Sequence, residues 1–157
     1  HIHNTAGLVQ KHGNMLNITV LGAIGLLKGS RIVYELADKI AVQKLPMRIT
    51  VIGYTDVHNG DYENSKGTLK ILGPYNNKDV SDLLAKYNTD IVLLPSICPE
   101  TYSYTVSEAI YSGYKVLAFD IGAPSDRIRE TRMGWLVKEI SSDAIMAKLV
   151  EISKNNE

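Results

Sequence analysis

The chain has 157 residues, and its 17 lysines and arginines are balanced by 17 aspartates and glutamates. That length suits one domain with a real core, while the neutral balance and the lack of a basic stripe argue against nucleic acid. No apolar run approaches the roughly 20 residues of a membrane-spanning helix. Cys98 is the only cysteine, which excludes an intrachain disulfide and a zinc–thiolate cluster and fits a reducing, cytoplasmic setting.

Residues 1 to about 15 are polar and aperiodic. His1, His3 and His12 lie there without further spaced ligands, so no metal site is predicted. Residues 1–17 are read as a linker or an expression remnant, and 18–157 as one domain. An apolar strand is predicted over 18–24. It runs into Gly22-Ala23-Ile24-Gly25-Leu26-Leu27-Lys28-Gly29, where glycines permit close backbone approach. This is neither a P-loop nor G-x-G-x-x-G. A helix capped by Ser30 follows, with Ile32, Val33, Leu36, Ala37, Ile40 and Ala41 on one face. A second strand is predicted over 47–53 and a loop over 54–66. A short strand over 68–72 closes on Gly73-Pro74-Tyr75. Asn77 is read as the cap of a helix that buries Val80, Leu83, Leu84 and Tyr87.

Ile91, Val92, Leu93 and Leu94 form a buried strand. The run Pro95-Ser-Ile-Cys-Pro99-Glu100 leaves it, and the two prolines forbid helix between them. Ser103 is the expected N-cap of a helix entered near Thr105, with Val106, Ala109, Ile110 and Gly113 at helical spacing. Glu100 therefore lies in a loop. Glu108 sits about one turn into the helix, on the side of Tyr104, Thr105, Tyr111 and Ser112 rather than the core. A strand over 115–119, a loop over 120–124 and a helix with Pro124 in first position come next. Gly134–Val137 is a last strand, with Trp135 in the core or at its rim. Ser141 or Ser142 caps a final helix carrying Ile145, Leu149 and Ile152. Of nine tyrosines, Tyr54, Tyr75, Tyr102 and Tyr104 fall in loops, where a ring with a polar tip suits a wet site or a plain surface.

Strands alternating with helices predict an α/β fold: a Rossmann-like parallel sheet with helices on both faces. Ligands in such sheets bind outside the carboxyl ends of the strands. The loops carrying Lys28, Tyr54, Tyr75, Glu100 to Tyr104, and Asp120 to Pro124 all follow strands, so they converge on one edge. A helix N-terminus there suits a phosphate, and carboxylates suit hydroxyls. Sugar hydroxyls on both sides of a diphosphate describe a sugar nucleotide. Taken singly, such glutamates are more often solvated surface charges.

The segment P-x-x-x-P-E-(x)7-E, followed by A-x-x-x-G and V-x-A-F-D-x-G-A-P, resembles retaining glycosyltransferases of the GT-B fold, family 4 (glycosyl transferases group 1). The likeness runs from about residue 17 to the C-terminus. It implies the C-terminal, donor-binding half of such an enzyme, transferring a hexose-type sugar from a UDP-, GDP- or dTDP-sugar with retention and no obligatory metal or cofactor. Glu108 would accept from the ribose hydroxyls. The amides of Ser103, Tyr104 and Thr105 would hold the diphosphate, with Lys28 countering its charge and Gly25 in the loop that approaches it. Glu100 would serve the transferred sugar as the catalytic-site carboxylate. The base would lie near Gly53 and the Gly73-Pro74-Tyr75 turn. Ala23 stands where an arginine is usual. The resemblance also implies a separate N-terminal acceptor-binding domain, without which the domain lacks turnover, and it is compatible with peripheral membrane association of the full enzyme in glycan biosynthesis. Two other readings stay open: a nucleotide-sugar binding module without transfer, and a flavodoxin-like interaction domain.

Overall fold

The computed structural model describes residues 13–101 and 103–155; the histidine-containing tail 1–12 and Tyr102 fall outside them. The elements are β1 (Leu16–Ile24), α1 (Ser30–Gln43), β2 (Met47–Thr55), β3 (Tyr62–Glu63), β4 (Leu69–Ile71), a 3-10 turn (Asn77–Asp79), α2 (Val80–Lys86), β5 (Ile91–Leu94), α3 (Tyr104–Tyr111), β6 (Val116–Phe119), α4 (Gly122–Thr131), β7 (Gly134–Val137) and α5 (Ser142–Lys154). The strands form one seven-stranded sheet in the order β3-β4-β2-β1-β5-β6-β7. Every pairing is parallel except that of β3 with β4.

Strand side chains alternate between two apolar layers. In β5, Ile91 and Leu93 join the layer beneath α1 and α5, while Val92 joins the layer beneath α2, α3 and α4. Trp135 is buried in the first layer, as expected from sequence. Thr19 is a buried polar residue of β1, and its hydroxyl is satisfied by the Thr89 hydroxyl at 2.7 Å. No helix among the described residues is long and apolar enough to cross a membrane.

Several boundaries differ from the sequence reading. β1 begins at Leu16, so Leu16 and Asn17 belong to the sheet rather than to the leading segment. β2 runs on to Thr55, and the predicted loop 54–66 contains β3, which pairs Tyr62 with Ile71. Ser30 is the first residue of α1 and not its cap; that position belongs to Gly29, at φ 95° with no side-chain cap. Asn77 opens the 3-10 turn and does not cap α2. α4 starts at Gly122, two residues before Pro124, because the backbone of Ala123 is already anchored on Glu100. The cap expected from Ser103 is present, and of Ser141 and Ser142 it is Ser141 that caps α5: each hydroxyl accepts from the amide three residues on.

Candidate functional site

The strand order reverses direction at β1. From there the chain builds outward through β2 on one side and through β5, β6 and β7 on the other. The crevice at the carboxyl ends of β1 and β5 is therefore the topological switch point, where ligands of open parallel sheets bind. The loop after β1 carries Gly25, Lys28 and Gly29. The loop after β5 carries Pro95 to Ser103.

These two loops are stitched together through their backbones. The Leu27 carbonyl accepts from the Ile97 amide at 3.1 Å and from the Ser96 hydroxyl at 3.3 Å. A Cβ on Gly29 would lie 2.0 Å from the Pro95 carbonyl oxygen. Only glycine fits there, on grounds of space and of its positive φ alike. The Lys28 and Ser30 amides both donate to the Gly25 carbonyl at 3.1 Å, and the space where a Gly25 side chain would project is open. The result brings Lys28 Nζ to 2.5 Å from Glu100 Oε1. Glu100 is fixed from a third side. The Ala123 amide donates to its carbonyl at 2.8 Å, and Gly122 packs against its amide. Its second carboxylate oxygen, Oε2, is buried and has no hydrogen-bond partner among the described residues.

α3 rises between the two glutamates. Ser103 Oγ accepts from the Val106 amide at 3.3 Å and lies 3.0 Å from the Thr105 hydroxyl. The Thr105 amide, in the first turn, has no acceptor within the helix. Tyr104 projects outward, 75% exposed. The Thr105 methyl lies near Gly22, and a Cβ on Gly53 would meet the Gly22 carbonyl at 2.0 Å, so the ends of β1 and β2 close tightly under the helix start. The Gly73 amide donates to the Gly53 carbonyl at 2.7 Å, which brings the Gly73-Pro74-Tyr75 turn to the same edge. Pro74 is exposed on that turn, and Tyr75 packs against the second apolar layer.

Glu108 lies on α3, off the face that buries Val106 and Ala109. Partial burial holds its carboxyl above the usual carboxylate range. Burial also raises the Tyr75 phenol, and the Glu108 charge raises it further, so the turn after β4 and helix α3 bring these two residues within electrostatic reach of each other. Beside Glu108 runs a groove of about 370 Å³ lined by Asn77, Lys78, Ser81, Tyr111 and Arg127. The sequence reading did not include Lys78 and Arg127, which carry no local signal. A larger groove, about 730 Å³, lies between α1 and the start of α5; Gly29 and Ile97 of the two loops line it, but Lys28, Glu100 and Glu108 do not. Ala23 is exposed at the end of β1, in register with Tyr54, and brings no cation to the edge. Among the described residues no group of three or more metal-ligating side chains is assembled.

Cys98 lies in the same loop but makes only weak contacts, its Sγ 3.7 Å from the Leu27 carbonyl and 3.9 Å from the Ser96 hydroxyl. Cys98→Ala is expected to change stability by less than about 1 kcal/mol. A thermal melt checks it.

The fold matches solved structures at low identity. The catalytic domain of starch synthase IV from Arabidopsis thaliana, bound to ADP and acarbose, aligns with 98% of this chain and 34% of its own, at 13% identity and TM-score 0.71. A glycosyltransferase from Rickettsia africae aligns over 91% of this chain and 38% of its own, at 19% identity and TM-score 0.70. HepE from Anabaena, in complex with UDP, aligns over 90% and 43%, at 20% identity and TM-score 0.66. The chain thus spans well under half of each of these proteins. No curated protein sequence matches it. The shared architecture is the Rossmann-like domain that forms the C-terminal half of GT-B glycosyltransferases. The family model Glycosyl transferases group 1 matches residues 10–157, and the chain belongs to that family.

Proposed function

We propose that this domain binds a sugar nucleotide at the β1/β5 crevice, as the donor half of a retaining glycosyltransferase that moves a hexose-type sugar to a glycan or other acceptor. One observation carries the reading. Glu100, a mostly buried carboxylate with one oxygen unpartnered among the described residues, and Glu108, a half-buried one, flank the start of one helix, with Lys28 at the same edge. Carboxylates on either side of a helix N-terminus suit hydroxyls at both ends of a diphosphate. In this reading Glu108 and Tyr75 take the nucleoside, and the first-turn amides of α3 with Lys28 take the diphosphate. Glu100 then holds the sugar, where it steadies charge developing at the anomeric carbon. Similar structures support the ligand class: HepE is in complex with UDP and with UDP-glucose, and starch synthase IV is bound to ADP. An N-terminal acceptor domain, a cytoplasmic setting and metal independence complete the proposal.

The test is calorimetry or ligand-observed NMR on the chain with a panel of nucleoside diphosphates and sugar nucleotides. Binding at millimolar concentration or below is expected, and failure of every ligand would sink the donor-site reading. A second reading, donor binding without transfer, is favoured by Ala23 where the resemblance leads one to expect arginine. It predicts donor affinity but no turnover in the complete polypeptide.

A pH dependence follows from Glu108. Its carboxyl is raised in the folded state, so the folded chain holds that proton more tightly than the unfolded chain does. The stability contributed at this position therefore falls as pH rises from the unfolded value through the folded one, and is level above it. Hydroxyl recognition needs the carboxylate, so nucleotide affinity rises across the same window. Glu108→Gln is expected to abolish both trends, in melting and in calorimetric titrations across mildly acidic pH. A pH profile of affinity unchanged in the variant would assign the titration to the ligand phosphates instead.

A further inference from the structure

Lys28 and Glu100 stand 72 residues apart in sequence, yet they form the ion pair at the centre of the crevice. The pair is lopsided. The Lys28 side chain is 50% exposed, while that of Glu100 is only 10% exposed. One Glu100 oxygen holds the ammonium, and the other is buried with no partner among the described residues. Removing the cation from such a carboxylate leaves a desolvated charge uncompensated. The two backbones are not free to part: Gly29 abuts Pro95, and Ala123 and Gly122 hold Glu100. What is free to move is the lysine side chain, a charge on a flexible four-carbon stem.

We propose that the Lys28–Glu100 pair is an exchange switch that makes the site discriminate a sugar nucleotide from a bare nucleoside diphosphate. The inference rests on the donor-site reading above. A diphosphate draws Lys28 off Glu100. With the bare diphosphate, Glu100 is then stranded, buried and without a counter-charge, close to the phosphates. With the sugar nucleotide, hydroxyls of the sugar donate to Glu100 and offset the lost ammonium. The switch therefore penalises the spent nucleotide relative to the intact donor and favours its release.

Glu100→Gln separates these effects, because the amide keeps the shape and removes the charge. The variant is expected to bind nucleoside diphosphate about three- to thirtyfold more tightly than wild type, as Lys28 is no longer held elsewhere. The sugar nucleotide should gain nothing, so its advantage over the diphosphate shrinks. In a Lys28→Ala background the tightening from Glu100→Gln should be much smaller. A Glu100→Gln variant that binds the diphosphate no better than wild type overturns the proposal, as does a gain of equal size with and without Lys28. A second measurement needs no nucleotide. Acylation of Lys28 by an amine-reactive ester, followed by mass spectrometry against exposed Lys78, should accelerate severalfold in Glu100→Gln, since the wild-type carboxylate holds the Lys28 nitrogen at 2.5 Å and keeps it from the reagent. An unchanged rate removes the switch even if nucleotides bind. A faster rate with no nucleotide binding by any variant removes the donor-site reading and the switch built on it.

Discussion

Gly29→Ala is expected to destabilise the domain by about 3 kcal/mol or more, whereas Gly25→Ala, four residues earlier in the same loop, should leave stability within about 0.5 kcal/mol. At Gly29 two costs add. A φ of 95° is a conformation that L side chains rarely adopt, and the new Cβ would sit 2.0 Å from the Pro95 carbonyl oxygen. That neighbour is backbone, so it cannot rotate away as a side-chain tip would. Relief requires the two loops to separate, which breaks the bonds from Ile97 and Ser96 to Leu27 and pulls Lys28 from Glu100. Gly25 meets nothing within 4 Å and has no such strain. Chemical denaturation of both variants checks the pair. Equal stabilities would show that the loops are not locked at Gly29. If the diphosphate approaches this backbone, Gly25→Ala should still weaken nucleotide binding while leaving the melt alone.

Glu108→Ala is expected to weaken nucleoside diphosphate and sugar nucleotide alike by about ten- to a hundredfold, the range for losing hydrogen bonds to a charged group. The ribose is common to both ligands, so the loss should be shared, in contrast to the unequal effects predicted for Glu100→Gln. Glu108→Gln keeps one acceptor and belongs at the low end. The fold should not suffer. Glu108 lies off the buried face formed by Val106 and Ala109, and its charge is already disfavoured by burial, so either variant should melt at or slightly above the wild-type temperature at neutral pH. Affinity lost together with stability would mark Glu108 as structural. A loss confined to the sugar nucleotide would exchange the roles of the two glutamates. A loss no larger than that of Glu151→Gln, on the exposed side of α5, would remove Glu108 from the site.

The sequence determined what depends on near neighbours. Apolar runs and helical periodicity located strands and helices, because a strand covered on both faces, such as Ile91–Leu94, is apolar at each successive position. Ser103 and Ser141 announced their helix starts, since a cap is satisfied three residues away. The two glutamates were legible as a pair around one helix start for the same reason. Where a local signal had a local rival, the reading slipped. Ser30 and Asn77 are good capping residues displaced by Gly29 and by a 3-10 turn, and β3 is too short to show a period. Only the tertiary structure decided what meets across the sheet. The order β2-β1-β5 brings the loops of Lys28 and Glu100 together, makes Gly29 and Gly122 obligatory against backbone from other loops, and sets Tyr75 beside Glu108. Such contacts follow from which strands pair, and strand pairing is fixed by burying the whole of two apolar layers at once rather than by any stretch of residues read alone.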